Sequence, residues 1–430
     1  MIRRASAALL ALALGTPCVQ AQSSGQTRAA APEKAYTLDD ALRLIRNDPN
    51  LQSAEQDVII AASRVTEAQL RFLPEVGLQA SASKFNALYP FALSQDFRSI
   101  LLYPGSPENI YSGRGYFNLP LYEGRRTINT YHLAQAAHKQ ALSNRDSVRM
   151  DLAVKVKESF YRLLLAQERV SAGEDHLRAL ERIAEDASLG PWESLETESA
   201  LAAARSRSSS SAHEREKARM DFLKTLNLEL DTPFRVTGIL ETSPAKVEIE
   251  KAVLWAMELR PELQSQTYKA QMDAIGVNLA LGRRYPTLFV AGDYELTDSH
   301  FPLKKNNWDV TVGVRIPIIY DLWSQLKQKR AEQRQGQLAR AELQDRVRLE
   351  VRQGAENLRY WQDEIPRRQA QWRRVQSLHD AATGKPGSAL SKLRAREGLL
   401  ELRLAYLTSV TEHLLSRTRL ERAVGRELAP

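Results

Sequence analysis

The sequence predicts a mostly helical protein with membrane β-structure, built from a duplicated unit of long coiled-coil helical hairpins with two strands in each copy. Three observations predict it. Residues 37–76 return about half the chain later, in one register and without a gap. Leu42, Pro49, Leu51, Gln52, Ser53, Ala62, Val65, Ala68, Arg71 and Pro74 reappear as Leu254, Pro261, Leu263, Gln264, Ser265, Ala274, Val277, Ala280, Arg283 and Pro286. Self-similarity at a fixed offset marks two copies of one structural unit. In each copy the hydrophobic period then switches from helical to two, and beyond the strands long proline-poor stretches carry a seven-residue repeat.

The first residues set the compartment. Arg3 and Arg4 precede an apolar run, Ala7 to Leu14, too short to span a bilayer as a helix, which needs roughly 20 residues. This is a secretory signal peptide. Pro17 stands directly before Cys18, where a lipoprotein signal wants a small residue, whereas Val19-Gln20-Ala21 fits ordinary cleavage after Ala21. Cleavage there removes Cys18, the only cysteine, and leaves a mature chain without disulfide or thiol chemistry. The expected organisation is a signal peptide over 1–21, a flexible segment over 22–36, a first repeat over 37–232, a linker over 233–246, a second repeat over 247–425 and a tail over 426–430.

Composition agrees with extended helices. The 430 residues are 43% hydrophobic and 26% charged, rather little apolar content to fill two or three compact domains. The formal charge of +8 is spread among Glu and Gln over helical stretches such as Lys327 to Arg352, which describes a solvated helix face and not a nucleic-acid patch.

Within the first copy, residues 38–72 read as helix, with Asp39 and Asp40 in the first turn and Leu38, Leu42 and Ile45 at helical spacing. Pro74 stops it. Over about 75–85, Val76, Leu78, Ala80 and Ala82 alternate with Gly77, Gln79, Ser81 and Ser83, a strand with one apolar face. In the second copy Leu288, Val290, Gly292, Tyr294 and Leu296 oppose Asp293 and Glu295 over about 287–296. A further strand over about 308–318 has its counterpart over 111–121, with Phe117, Leu119 and Leu121 matching Val314, Ile316 and Ile318. Strands of about ten residues cross an outer membrane at a tilt. Tyr89, Phe91, Tyr103, Tyr111 and Tyr116, with Phe289, Tyr294, Phe301, Trp308, Tyr320 and Trp323, suit an interfacial aromatic girdle. Four strands cannot close a membrane barrel, since the smallest use about eight, so spanning strands require oligomerisation.

Between Thr127 and Ser188 there is no proline, and Val156, Leu163, Val170, Leu177 and Ala184 recur every seventh residue beside a small-residue line, Ser159, Ala166 and Gly173. Such a segment is roughly 90 Å long at 1.5 Å per residue. The rod turns back at Leu189-Gly190-Pro191-Trp192-Glu193-Ser194, and its counterpart turns at Thr383-Gly384-Lys385-Pro386-Gly387-Ser388, with Ser194 and Ser388 available to cap the returning helices. On the second return Leu393, Leu400, Leu407 and Leu414 step by seven, and Pro366 predicts a kink in the second outgoing helix.

A signal peptide, a helix ending in Leu73-Pro74 or Tyr285-Pro286 before a strand, a second strand ending at Leu119-Pro120-Leu121-Tyr122-Glu123-Gly124, a long helix, a Gly-and-Ser hairpin, and the duplication of that whole unit together resemble the TolC family of outer-membrane efflux proteins. Ile316-Pro317-Ile318 is the second copy's strand end, and Arg422-Ala423-Val424-Gly425 looks like the family's closing helix end. The resemblance covers essentially the whole mature chain. It implies a homotrimer in which four strands per protomer form one twelve-stranded β-barrel in the outer membrane, continued by a periplasmic α-helical tunnel. It implies that a periplasmic adaptor docks at the hairpin tips, Gly190, Ser194, Gly384 and Ser388, and links the channel to an inner-membrane efflux pump or type I secretion transporter. It also puts the periplasmic entrance near Ser391, Lys392 and Arg394, where the best-known members carry acidic residues; without that acid pair, an entrance less selective for cations is expected.

No enzyme is expected. The seven histidines show no HExxH or paired-ligand spacing, and the chain has neither a P-loop nor a Gly-x-Ser-x-Gly turn. A passive duct needs no cofactor or metal. The alternative function is a soluble periplasmic coiled-coil adaptor or scaffold, which accounts for the signal peptide, heptads and hairpins but not for paired membrane-length strands in both copies.

Overall fold

The computed structural model describes residues 34–84, 109–185, 190–242, 244–382 and 388–428. The signal peptide with Cys18, the aromatics Tyr89, Phe91 and Tyr103, and the tip residue Gly384 lie outside the described residues.

The first helical segment is not one helix. Strand β1 (Lys34–Tyr36) leads into α1 (Leu38–Leu44), a 3₁₀ turn (Ile45–Asn47) and α2 (Pro49–Leu70). Thr37 and Asp40 form a reciprocal capping box, each side chain accepting the other's backbone N–H at 3.3 Å. The break expected nowhere in residues 38–72 falls at Asp48-Pro49, because proline disfavours helical backbone in the residue before it and has no N–H to donate. Asp48 is extended, and its carboxylate accepts the Asn50 N–H at 2.8 Å. The second copy breaks at the equivalent Arg260-Pro261, dividing α5 (Ile249–Leu259) from α6 (Pro261–Gly282).

The long helices are α3 (Arg126–Ala184, 59 residues), α4 (Pro191–Thr225), α7 (Leu322–Ala382, 61 residues) and α8 (Ala389–Val424). At 1.5 Å per residue, α3 and α7 each run about 90 Å. On α3 the heptad positions Val156, Leu163 and Val170 are buried, and Leu177 and Ala184 are half-buried. Pro366 does not end α7, which stays a single helix on both sides of it. Packing offsets the lost hydrogen bond: Ile365 is buried against Val410 and Leu414, and the Arg368 guanidinium donates to the Ala405 carbonyl on α8.

Two cores sit where the copies' short helices meet the long ones. Phe160, Leu163, Phe222 and Phe234 fill the first; Val347, Val351, Leu358, Leu420 and Val424 fill the second. β1 pairs in parallel with β4 (Phe234–Val236), stitching together the end of the segment read as flexible and the start of the one read as a linker. Helix α3 packs against α2, α4, α6 and α8, while α7 packs against α5, α6 and α8.

At one end lies a four-stranded antiparallel sheet of β2 (Glu75–Lys84), β3 (Asn109–Tyr122), β5 (Thr287–Asp298) and β6 (Lys305–Arg315), in that order. The central pair, β3 with β5, joins the two copies. β6 stops at Arg315, short of the expected residue 318; Pro317 has no N–H for a ladder, and Ile316 and Ile318 continue as exposed, non-strand backbone. Among the described residues no helix is long and apolar enough to cross a membrane.

Candidate channel wall and hairpin tips

Antiparallel register fixes which side chains share a face. Val76 pairs with Phe117, Leu78 with Gly115, Leu119 with Val290, Val290 with Val312, and Tyr294 with Trp308. These residues make one apolar face across all four strands. It is bare: Leu78 is 92% exposed, and Trp308, Val310, Val312 and Val314 are all exposed. The opposite face carries Gln79, Arg114, Asp293, Asp309 and Thr311, with Arg114 Nε 2.6 Å from the Asp293 carboxylate and the Thr311 hydroxyl donating to Asp309 at 3.0 Å. A sheet apolar on one side and charged on the other suits a wall between lipid and water. Its outer strands β2 and β6 each pair on one side only among the described residues, leaving two open edges.

Each strand pair carries the same device. Tyr116 lies over Gly77, Phe117 over Gly292 and Phe289 over Gly313, each aromatic directly across from its glycine, and a Cβ on any of these glycines would run into the ring. A ring laid over a cross-strand glycine restores the packing that the glycine lacks. Tyr116 and Phe289, expected in the girdle, therefore sit on the polar face; their odd-even position in the register decides it. Trp308, Tyr294 and Phe301 are exposed at one end of the sheet, and Tyr122, Tyr285, Tyr320 and Trp323 at the other. In β3 a bulge after Pro120 leaves Leu121 without a partner on β5.

Below the sheet the two copies touch through backbone. Gly124 (φ +64°) and Arg125 (φ +63°) turn β3 into α3 in left-handed conformations. A side chain on Gly124 would meet the Gly282 carbonyl at the end of α6, and one on Gly282 would meet the Gly124 carbonyl. Further along, Arg422 Nε donates to Asp151 at 2.6 Å and its guanidinium also donates to Glu262, while Arg260 donates to Glu350 at 2.6 Å. This ion cluster ties α3, α6, α7 and α8 together. Burial pulls the Glu262 carboxyl upward, but the hydrogen bond and charge of Arg422 outweigh it and hold it below its ordinary value.

At the far end the tips are asymmetric. Gly190, not Ser194, occupies the N-cap position of α4, because Pro191 starts the helix; Glu193 accepts the Gly190 N–H, and Ser194 lies within the first turn, its N–H donating to the Gly190 carbonyl at 2.9 Å. Ser388 does cap α8, its hydroxyl accepting from Ser391 N–H at 3.3 Å. The Ser391 hydroxyl is turned back onto the Ser388 carbonyl at 2.8 Å. Lys392 and Arg394 are exposed, while Leu393 between them is buried with Leu180 and Leu201 of the first hairpin. Arg394 lines a groove of about 320 Å³ with His176, Glu196, Arg207 and Glu397. Burial lowers the His176 imidazole below its ordinary value, and Arg207 adds to the effect.

A four-stranded sheet, open at both edges among the described residues, is mounted on long paired helices. Residues 42–188 match the family model of outer membrane efflux proteins. No curated protein matches the sequence. Solved structures match over nearly the whole fold. The Campylobacter jejuni CmeC outer membrane channel is 14% identical, with a TM-score of 0.76 over 90% of this chain and 85% of that one. The Neisseria gonorrhoeae MtrE outer membrane channel is 15% identical, with a TM-score of 0.74 over 90% and 89%. The Vibrio cholerae outer membrane protein VceC is 14% identical, with a TM-score of 0.74 over 91% and 96%. Residues 42–188 are thus similar to outer membrane efflux proteins, and the chain has the fold of these solved outer-membrane channels.

Proposed function

We propose that the chain is the passive export duct of a tripartite efflux or type I secretion system, carrying cargo from periplasm to exterior while an inner-membrane pump supplies the energy. One observation carries this: a four-stranded sheet with an apolar face, a charged face and two open edges, mounted on helices of about 90 Å. Backbone groups on an open edge cannot be left unpaired in lipid, so β6 of one copy pairs with β2 of the next, and three copies close twelve strands with the apolar face outward. The charged face then lines water. The adaptor docks at the tips around Gly190, Ser194, Gly384 and Ser388, and the entrance lies near Ser391, Lys392 and Arg394. The basic character of that stretch supports an entrance less cation-selective than one ringed by carboxylates.

Electron microscopy of the detergent-extracted protein tests the duct: a three-fold hollow cylinder is expected, and compact monomers or solid rods obtained without detergent would return the chain to the scaffold class. Reversal potentials in a salt gradient across planar bilayers test the entrance, and marked cation selectivity would refute that part.

A further inference from the structure

The polar side of the sheet holds a bay of about 440 Å³, lined there by Arg114, Tyr116, Phe289, Ala291, Asp293 and Asp309 among others. Strand register explains its shape. Asp293 stands directly across from both Tyr116 and Asp309, and Ala291, the next residue of β5 on the same face, stands across from Asn118 and Thr311. Phe289 comes next on that face and lies over Gly313. The small Ala291 side chain is therefore a floor between two aromatic walls, Tyr116 and Phe289. From Asp293 to Phe289 the bay runs four residues along the strand, roughly 13 Å.

Folding does not account for the charges around this bay. Asp293 and Asp309 are carboxylates in directly opposite positions on neighbouring strands, an arrangement that costs a sheet stability. Arg114 is the one cation among the lining residues, and it is committed to Asp293 at 2.6 Å. Asp309 is exposed; the neutral Thr311 hydroxyl donates to it at 3.0 Å, and no cation forms an ion pair with it among the described residues. One negative charge is thus left uncompensated at the Asp309 end. At the other end the Arg315 guanidinium stands 5.8 Å from the Phe289 ring centroid. The bay is polarised along its length, negative at Asp309, apolar over Ala291 and Phe289, and positive beyond.

We propose that this bay binds an organic cation with a flat apolar body, its ammonium end against Asp309 and its body over Ala291 toward Phe289. Aromatic walls beside an uncompensated carboxylate select such an ion. A metal ion wants several oxygen ligands in place of rings, and an anion is repelled by Asp309. Arg315 fixes the orientation, because it repels a positive end placed at Phe289. The inference rests on the duct reading, which makes this face the water side, and adds to it a class of cargo that pauses on the barrel wall.

The test titrates benzyltrimethylammonium against the full chain in nonionic detergent and follows it by ligand-observed saturation-transfer NMR, with light scattering on the same samples. Saturable binding is expected, stronger than that of tetramethylammonium, which has the charge without the ring, and of benzenesulfonate, which has the ring with the opposite charge. Asp309→Asn should weaken it roughly threefold to fivefold; this change removes a like-charge pair, so the sheet keeps its fold. Ala291→Leu fills the floor with the charges untouched and should weaken it about tenfold or more. Trimers with no saturable binding would overturn the bay alone, as would equal binding of either control ion or affinities unchanged in both variants. Absence of any trimer in the wild type would instead overturn the duct reading on which the bay rests.

Discussion

Replacing Val312 by lysine puts the membrane assignment of the sheet at risk. The outward positions Trp308, Val310, Val312 and Val314, continued by Ile316 and Ile318, span ten residue steps, roughly 33 Å of chain, or about 25 Å along the membrane normal at a 40° tilt. That equals the height of the apolar band of outer-membrane barrels, and Val312 lies within one residue of its middle. A lysine there costs about 2–4 kcal/mol. Three copies enter each barrel of the proposed trimer, so the assembly loses roughly 6–12 kcal/mol, comparable to the entire stability of an ordinary domain. Thr311→Lys is the matched control, one residue away on the polar face beside Asp309. Both variants would be refolded into lipid vesicles and their trimer fraction read on non-denaturing gels as urea is lowered. Trimer yield should collapse for Val312→Lys and hold for Thr311→Lys. Equal yields would refute the assignment of faces, and with it the wall.

Gly124→Ala should lower the thermal midpoint by a cost of at least about 1–2 kcal/mol, since the residue needs a left-handed backbone and its new methyl would meet the Gly282 carbonyl; an unchanged midpoint would show that the junction can spread. Arg422→Met should cost about 3 kcal/mol in urea titration, the low end for breaking a buried pair because Asp151 is half exposed, and Glu262→Gln added to it should recover part of the loss. His413 is 1% exposed with both ring nitrogens lacking hydrogen-bond partners among the described residues, and burial, with Arg417 adding, lowers its imidazole below the ordinary value. The unfolded chain then takes up a proton below about pH 6.5 that the native site resists, so stability is intact above that pH and falls as pH drops below it. His176, lowered in the same direction, acts likewise, and His413→Leu should flatten the pH dependence of the urea midpoint between pH 7 and 5 without abolishing it.

Much of this architecture could be read from the residues, because periodicity is a direct projection of packing. The alternation in Val76 to Ser83 and in Leu288 to Leu296 set the sheet's faces correctly, and the heptad line through Val156, Leu163 and Val170 marked the buried stripe of α3. What escaped were features created by pairing partners. Nothing local to Tyr116 or Phe289 reveals that a glycine stands across the next strand, so rings assigned to a lipid girdle turned out to cover Gly77 and Gly313. The break at Asp48-Pro49 could have been found, since Pro49 and Pro261 are both among the repeated positions and each begins a helix. At the tips the Ser194 hydroxyl suggests a cap, whereas Pro191 sets the helix start and leaves that role to Gly190. The ion cluster around Arg422 joins residues far apart in sequence, and no spacing rule links Asp151 to Glu262.

The open edges have a consequence for the life of the protein before it reaches the membrane. Among the described residues, β2 and β6 each have one edge of about three nanometres without a strand partner, beside an exposed greasy surface. A single copy with these edges open is a template for fibrous or amorphous self-association. In the proposed trimer, closure needs three molecules at one place, so its rate climbs steeply with local concentration, and dilution favours the stray pairings. On the proposed trimeric reading, faithful assembly depends on masking these edges in transit or on delivering copies to a shared insertion site.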